Sequence, residues 1–518
     1  MPSTASPAVS AHQRMILWML ACLCCLALGS ITSLSSAHYM PHLASSFNAS
    51  VGKPKEELQL LQTAPSKEYH NTTGTTTTSN SSSASVSSSL RGANTTRGDN
   101  TTDDQVNSTI MRDANQTEVV VTASDRYARG VIISLHNGVV SMGVSLIREL
   151  RCLGNTEVIQ VYHCFPNELS EEAQALLKRN DSNVEIIDVC SELLSRSVLN
   201  EGDTTVIQDD VFFGDEKLAL SFQSYWLKPL ALYHTKLQEV ILLDADAILM
   251  LNPADLRTMS GYKRTGTTFF YDRVHAMRKF FNRVDTKGTP MLHLLVKTFD
   301  YAKFGLGGPA PSQQLLDSFA YREATAHEMD SSMVLIDKRR AGKAMDVLKH
   351  LITSVRFKLK FSWGDKEAFW LAYELAHQPY FFSPWGLSLL DSVPNEDLKN
   401  HPETMCGSMA HYMPSEEGAN EAPELLYVNG KALLEPFPLG VEKSLTADKS
   451  RMFNINPTHL TPRYRRQDYD TRKSPSFECM DNMGAMALPR YFYARLLRRR
   501  THFFAAETKF YEALDTCS

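Results

Sequence analysis

The sequence predicts an α/β fold, a largely parallel sheet wrapped by helices, on three observations. Short apolar runs alternate with stretches of helical periodicity from Arg129 onward. The central run, EVILLDADAILMLNP from Glu239 to Pro253, is apolar enough over Val240 to Leu243 to be buried on both faces of a sheet. It then meets two carboxylates, Asp244 and Asp246, at the strand's carboxyl end, where open α/β sheets bind their ligands. Residues two apart on extended chain stand about 7 Å apart. Two such carboxylates can hold one hard cation against the diphosphate of a nucleotide, because magnesium and manganese take oxygen from one or two carboxylates plus substrate phosphates. The same Asp-Ala-Asp would also serve as a plain exit turn from the sheet.

Around this centre the chain divides by composition. A net charge of -5 over 518 residues, with 43% hydrophobic and 21% charged, describes a globular body with appendages and offers no argument for nucleic acid as a partner. Met15 to Leu34 is free of charge and, at about 20 residues, long enough to span a bilayer. Arg14 precedes it and no acidic residue does, which favours a cytosolic tail over 1–14, a signal anchor over 15–34 and a lumenal body; a cleaved signal peptide is the alternative. Residues 35–125 are Ser/Thr-rich and nearly free of aromatics, with acceptor sequons at Asn48, Asn71, Asn80, Asn94, Asn100, Asn107 and Asn115, as expected of a disordered glycosylated stem. A further sequon starts at Asn180. Outside the apolar segment Cys152, Cys164, Cys190, Cys406, Cys479 and Cys517 can pair in an oxidising lumen, with no connectivity favoured, and no pair has zinc spacing. The folded body is expected over 126–440 and a basic, partly helical extension over 441–518.

Within the body, RGVIISLHN predicts the first strand. It closes on His136 and Asn137, where a nucleotide's base or ribose could rest or polar residues simply end the strand. VVSMGVSLIRELRCLG predicts a helix stopped at Gly154, and EVIQVYHC, EEAQALLKRN and VEIIDVC repeat the alternation. Ser221 to Gln238 predicts a helix leading into the central strand. Its Lys228 is either an exposed lysine or an ammonium set near a diphosphate. TTFFYDR predicts a strand ending in Asp272 and Arg273, and GLGGPAPSQQ a loop that lacks the flanks of a phosphate-binding turn. Val334 to Asp337 predicts a strand preceded by Asp330, Ser331 and Ser332; Gly364 and Asp365 open a helix carrying Phe369, Trp370 and Tyr373. RYFYARLLRRRTHFFAAETKF predicts a terminal helix, either lying on a membrane or partner or packed on the domain.

Taken in order, DADAILMLNP, DSSMVLIDK, WGDKEAFWLA, CGSMAHYMP and LLYVNGKALL make the stretch from about Arg129 to Leu434 resemble the fungal alpha-1,3-mannosyltransferases of glycosyltransferase family 71. The tail after about Glu435 lies outside the resemblance. The resemblance implies a GT-A fold, GDP-mannose as donor, manganese as the divalent metal, a glycan or glycoprotein acceptor, and transfer with retention by a type II Golgi membrane protein. It places Asp244 and Asp246 at the metal and nucleotide and makes His411, in CGSMAHYMP, a third metal ligand. Where relatives tend to carry acid-Ser-Gly-Gln, this chain has Asp330-Ser331-Ser332-Met333, a departure that bears on acceptor or sugar specificity.

Transfer from a nucleoside diphosphate leaves negative charge on the departing phosphate, so the chemistry asks chiefly for cations there. Asp246, His411 and Lys228 are the residues expected to meet that demand, while Asp365 and Asp330 are expected to line the sugar pocket. Two other functions remain open: a same-fold enzyme using a UDP-sugar, and a membrane-anchored glycan-binding protein without turnover.

Overall fold

The computed structural model describes residues 127–199, 212–392, 404–415, 423–434, 456–466 and 479–517. The expected anchor and stem lie outside the described residues, and among those described no helix is long and apolar enough to cross a membrane.

Strand β1 (Arg129–Ser134) is followed by helix α1 (Val140–Cys152), which ends where Gly154 adopts φ +80°, a conformation that costs glycine least. Then come β2 (Val158–His163), α2 (Glu171–Leu177, capped by the Ser170 side chain), β3 (Val184–Asp188) and α3 (Val189–Leu199). The helix expected over Ser221 to Gln238 is shorter, α4 at Leu227–His234, and feeds β4 (Glu239–Leu243). After the Asp-Ala-Asp turn come β5 (Ala247–Leu249), β6 (Thr267–Tyr271), β7 (Met329–Asp337) and α5 (Ala368–Leu375). The chain closes through β8 (Ser388–Leu389), β9 (Met405–Cys406), β10 (Met409–Tyr412), β11 (Leu425–Asn429), β12 (His459–Leu460), β13 (Cys479–Met480), β14 (Met486–Ala487) and α6 (Arg490–Glu507).

The main sheet has the order β3-β2-β1-β4-β7-β6. Its first four strands are parallel, as the alternation predicts, but β7 runs antiparallel to both β4 and β6, so the sheet is mixed. The register pairs Leu243 with Met333, and Asp244 N–H donates to the Ser332 carbonyl at 2.9 Å. Reversal therefore brings the amino-terminal end of β7, with Asp330 and Ser331, beside the carboxyl end of β4. A second sheet, β5-β11-β10-β8, grows directly from the residue after Asp246.

Period-two alternation sorts the main strands between two cores. Val240 and Leu242 enter one, while Ile241 and Leu243 enter the other, and all five residues of β4 are buried. Each such side chain contributes about 1.5–3 kcal/mol, which is why the strand carrying the turn is the least able to shift. Helix α6 packs on α1: the Ser145 hydroxyl donates to the Arg499 carbonyl at 2.6 Å, and Arg498 makes a two-pronged pair with buried Glu149. The described residues after 440 belong to the same compact unit as the sheet. All six cysteines outside the apolar segment are paired, as Cys152–Cys517, Cys164–Cys190 and Cys406–Cys479.

Candidate active site

A cleft of about 1080 Å³ opens along the carboxyl ends of the parallel strands. The sheet order sets its layout: His136 and Asn137 after β1, Asp244 and Asp246 after β4, Asp330 and Ser331 at the start of β7, then Asp272, Arg273 and His275 after β6. Lys228 and Asp365 also line it.

Lys228 is the hub. It is 6% exposed, not a surface lysine, and its Nζ lies 2.8 Å from Asp244 Oδ1, 3.1 Å from Asp365 Oδ2 and 3.0 Å from Ser331 Oγ. Burial alone would lower its pKa, but the two carboxylates win and hold the ammonium above its ordinary value. Helix α5 does not open at Gly364 and Asp365. Gly364 takes φ +69°, the helix proper begins at Ala368, and the turn before it aims the Asp365 carboxylate at Lys228 rather than capping with it.

Asp246 has its pKa pushed up to about 6, first by burial and then by the Asp244 charge. Counting formally, Lys228 and Arg499 against Asp244, Asp246 and Asp365 is two positive charges against three negative, leaving an excess of one. That donor set and that excess suit one divalent cation, which Asp244 and Asp246 would hold with the remaining positions left to substrate oxygens. Among the described residues no group of three or more His, Cys, Asp and Glu side chains is arranged to hold a metal.

His411 stands elsewhere than the resemblance implies. It is 1% exposed and does not line the cleft; its Nε2 is 2.9 Å from Asp330 Oδ2, and its ring stacks on Tyr427 at 4.9 Å. The register is the reason: Met409 reaches the cleft opposite Asn429, and His411, two residues on, lies deeper opposite Tyr427. Asp330 is thereby fixed, also accepting from the Ser332 backbone N–H and hydroxyl; against the effect of burial, its His411 bond holds the carboxyl well below the usual range.

His136 and Asn137 line the cleft but already have local duties. His136 Nδ1 accepts from Gly138 N–H at 3.1 Å, and Asn137 bridges to the Asn167 carbonyl and the Ser170 N–H.

Several site residues escaped the sequence reading. Lys366 pairs with Asp272, which it holds below its ordinary pKa although burial works the other way. Asn429 and Lys431 belong to the quoted LLYVNGKALL, and the Asn429 Oδ1 is buried without a hydrogen-bond partner among the described residues. Arg499 comes from α6, in the tail excluded from the resemblance. It is fully buried and donates to the carbonyls of Ala245 at 2.8 Å and Met142 at 3.2 Å, so it braces the Asp-Ala-Asp turn from behind. Its only signal in the sequence was an arginine run on a helix that also carried apolar residues.

The chain is similar to known mannosyltransferases. A family model described as "Mannosyltransferase putative" matches residues 128–413. The chain is 25% identical over 370 residues to "Putative alpha-1,3-mannosyltransferase MNN1" of Candida albicans, covering 64% of this chain and 44% of that protein. It is 25% identical over 325 residues to alpha-1,3-mannosyltransferase MNN1 of Saccharomyces cerevisiae, covering 58% and 40%. The matches thus span less than half the length of these relatives. The solved structure of core-mannan synthase A from Aspergillus fumigatus, in its Mn/GDP form, superposes with a TM-score of 0.32 at 13% identity, covering 48% of this chain and 69% of that one. A superposition that loose transfers neither ligand nor chemistry. The family model, however, takes in more than half of the chain, including every strand of the main sheet and the Asp244, Asp246, Asp330 and Asp365 positions, and the chain belongs to the mannosyltransferase family of the fungal alpha-1,3-mannosyltransferases.

Proposed function

We propose that this protein is a metal-dependent retaining glycosyltransferase that moves mannose from GDP-mannose to a glycan or glycoprotein acceptor, forming an alpha-1,3 linkage in the Golgi lumen. The observation that carries the reading is the Asp244–Lys228–Asp365 chain beside Asp246 at the carboxyl end of β4. In the transfer, the acceptor hydroxyl oxygen bonds to the anomeric carbon and the carbon–oxygen bond to the diphosphate breaks. The electron pair leaves with the phosphate, which also takes the hydroxyl proton or passes it to water.

Asp244 and Asp246 would hold manganese, which supplies charge stabilisation to the departing diphosphate when bound. Lys228 keeps Asp244 and Asp365 apart in charge and fixed in place, so that neither must reorganise as charge develops. Asp365 and Asp330 line the part of the cleft between the acidic turn and the β6 end, where the donor sugar would lie. The charge-free segment Met15 to Leu34, the sequon-rich stem and the three disulfides support a membrane-anchored lumenal address.

Thermal stabilisation by GDP-mannose, other GDP-sugars and UDP-sugars with manganese tests the donor, since a ligand that binds the folded state raises its stability in proportion to ln(1 + [L]/Kd). GDP-mannose should shift the midpoint most and be consumed when a mannoside is added. A larger shift with UDP-sugars would replace the donor, and binding without consumption would favour a glycan-binding protein.

A further inference from the structure

The cleft continues beyond the start of β7 to the residues that follow β6. Running from His136 after β1 to His275 after β6, it passes the acidic turn on the way, so the β6 end lies on the far side of Asp244 and Asp246 from His136 and Asn137, where the sequence leads one to expect the nucleotide's base or ribose. Two large aromatic side chains stand exposed on its lining, Trp363 at 54% and Tyr225 at 66%. They are held near one another: a Cβ on Gly364 would come within 3.0 Å of the Tyr225 Cβ. An indole left in water is unfavourable unless something covers it.

Behind Trp363 lies Phe280, with ring centroids 5.7 Å apart, and Phe280 also packs on His327 at 4.6 Å. Phe280 occupies this place at φ +47°, a conformation that costs a bulky residue free energy and persists only where the surroundings impose it. His327 lines the cleft at 4% exposure, yet among the described residues neither ring nitrogen has a hydrogen-bond partner; Glu367 Oε1 is 3.6 Å from Nδ1, too far for one. A buried polar group without a partner costs about 1–3 kcal/mol, a penalty that a ligand hydroxyl at this position would relieve.

An apolar plate beside a buried group that lacks a hydrogen-bond partner matches the two surfaces of a pyranose, whose ring face is C–H and whose rim is hydroxyl. We propose that the β6 end of the cleft, with Trp363 as platform and His327 as hydrogen-bonding group, is the acceptor subsite and takes a neutral hexopyranose unit of a glycan. This rests on the transferase reading for its role and on Trp363, Phe280 and His327 for its chemistry. Trp363 positions the acceptor ring by stacking, and His327 fixes its rotation.

The test compares wild type with Trp363→Ala, Trp363→Phe and His327→Gln, using α-mannobiose as acceptor probe and GDP with manganese as donor-side probe. Trp363→Ala should raise the acceptor KM about tenfold or more, Trp363→Phe should recover most of it, and His327→Gln should raise it severalfold. GDP affinity should stay within about twofold in all three. An unchanged acceptor KM in Trp363→Ala overturns the subsite, as does an equal loss of GDP affinity, which would give this wall to the donor. Direct titration of α-mannobiose separates this inference from the one it rests on. Mannobiose binding that Trp363→Ala abolishes, in a wild-type protein that transfers nothing, keeps the subsite and defeats the transferase reading.

Discussion

The ammonium of Lys228 lies 2.8 Å from Asp244 Oδ1, inside a protein wall that leaves the lysine 6% exposed. Removing it would leave Asp244, Asp246 and Asp365 crowded with no cation between them. Breaking a buried pair from one side costs about 3–5 kcal/mol, so Lys228→Met should lower stability by about 3 kcal/mol in denaturant titration. Lys228→Met with Asp365→Asn should be less unstable than the single variant, and manganese should restore part of the loss in both. A double variant worse than either single one would mean that the two residues act apart.

Divalent-ion binding should depend on pH through Asp246. Its carboxyl pKa is raised to about 6, by burial first and Asp244 second. Without a cation, the stability gained from keeping this group protonated is complete below its unfolded value near 4 and is lost as pH rises through about 6. A bound ion requires the carboxylate, so manganese affinity should fall about tenfold per pH unit below 6 and level off above 7. Calorimetric titration at pH 5, 6 and 7.5 checks this, and a flat profile in wild type would refute it.

His411 and Asp246 should separate in the same titration. With Nε2 engaged by Asp330 at 2.9 Å, His411 acts on the site through that carboxylate. Asp246→Asn should abolish manganese binding, whereas His411→Gln should leave the affinity within about threefold and lower turnover by disturbing Asp330. Equal loss of the ion in both would return His411 to the metal.

The arginine from α6 should matter to the turn it braces. Arg499→Leu removes the side-chain donor to the Ala245 carbonyl and the added one to Met142, at a cost of about 1–3 kcal/mol, and should weaken GDP binding in manganese about tenfold. Lys509→Ala removes only an exposed pair with Glu172 on the segment just after the same helix and should change neither quantity measurably.

Peptide mapping without reduction should recover Cys152–Cys517, Cys164–Cys190 and Cys406–Cys479. The first joins residues 365 apart, and closing so long a loop in the unfolded chain is expected to contribute about 3–5 kcal/mol. Cys517→Ser should therefore lower the unfolding midpoint more than Lys509→Ala does, and an unshifted midpoint would show that α6 docks without the bond.

Periodicity and punctuation within a few residues were enough for β1, α1, β2, β3 and β4, because short apolar runs rich in Val and Ile and bounded by polar residues suit buried strands, and Gly154 can end a helix without strain. The same local logic placed Asp244 and Asp246 at a strand's end. It failed where the partner is distant. Asp330 is 81 positions from His411, and Arg499 is 254 from Ala245. Their meeting depends on β7 running antiparallel and on α6 docking against α1. Strand direction and helix docking are set by burying both faces of the sheet at once, a condition on the whole core that leaves no periodic trace near any one of these residues. For that reason the acidic turn was legible from its own fifteen-residue stretch and Lys228 could be singled out just before it, while the histidine engaged by Asp330 and the arginine behind the turn became visible only with the chain folded.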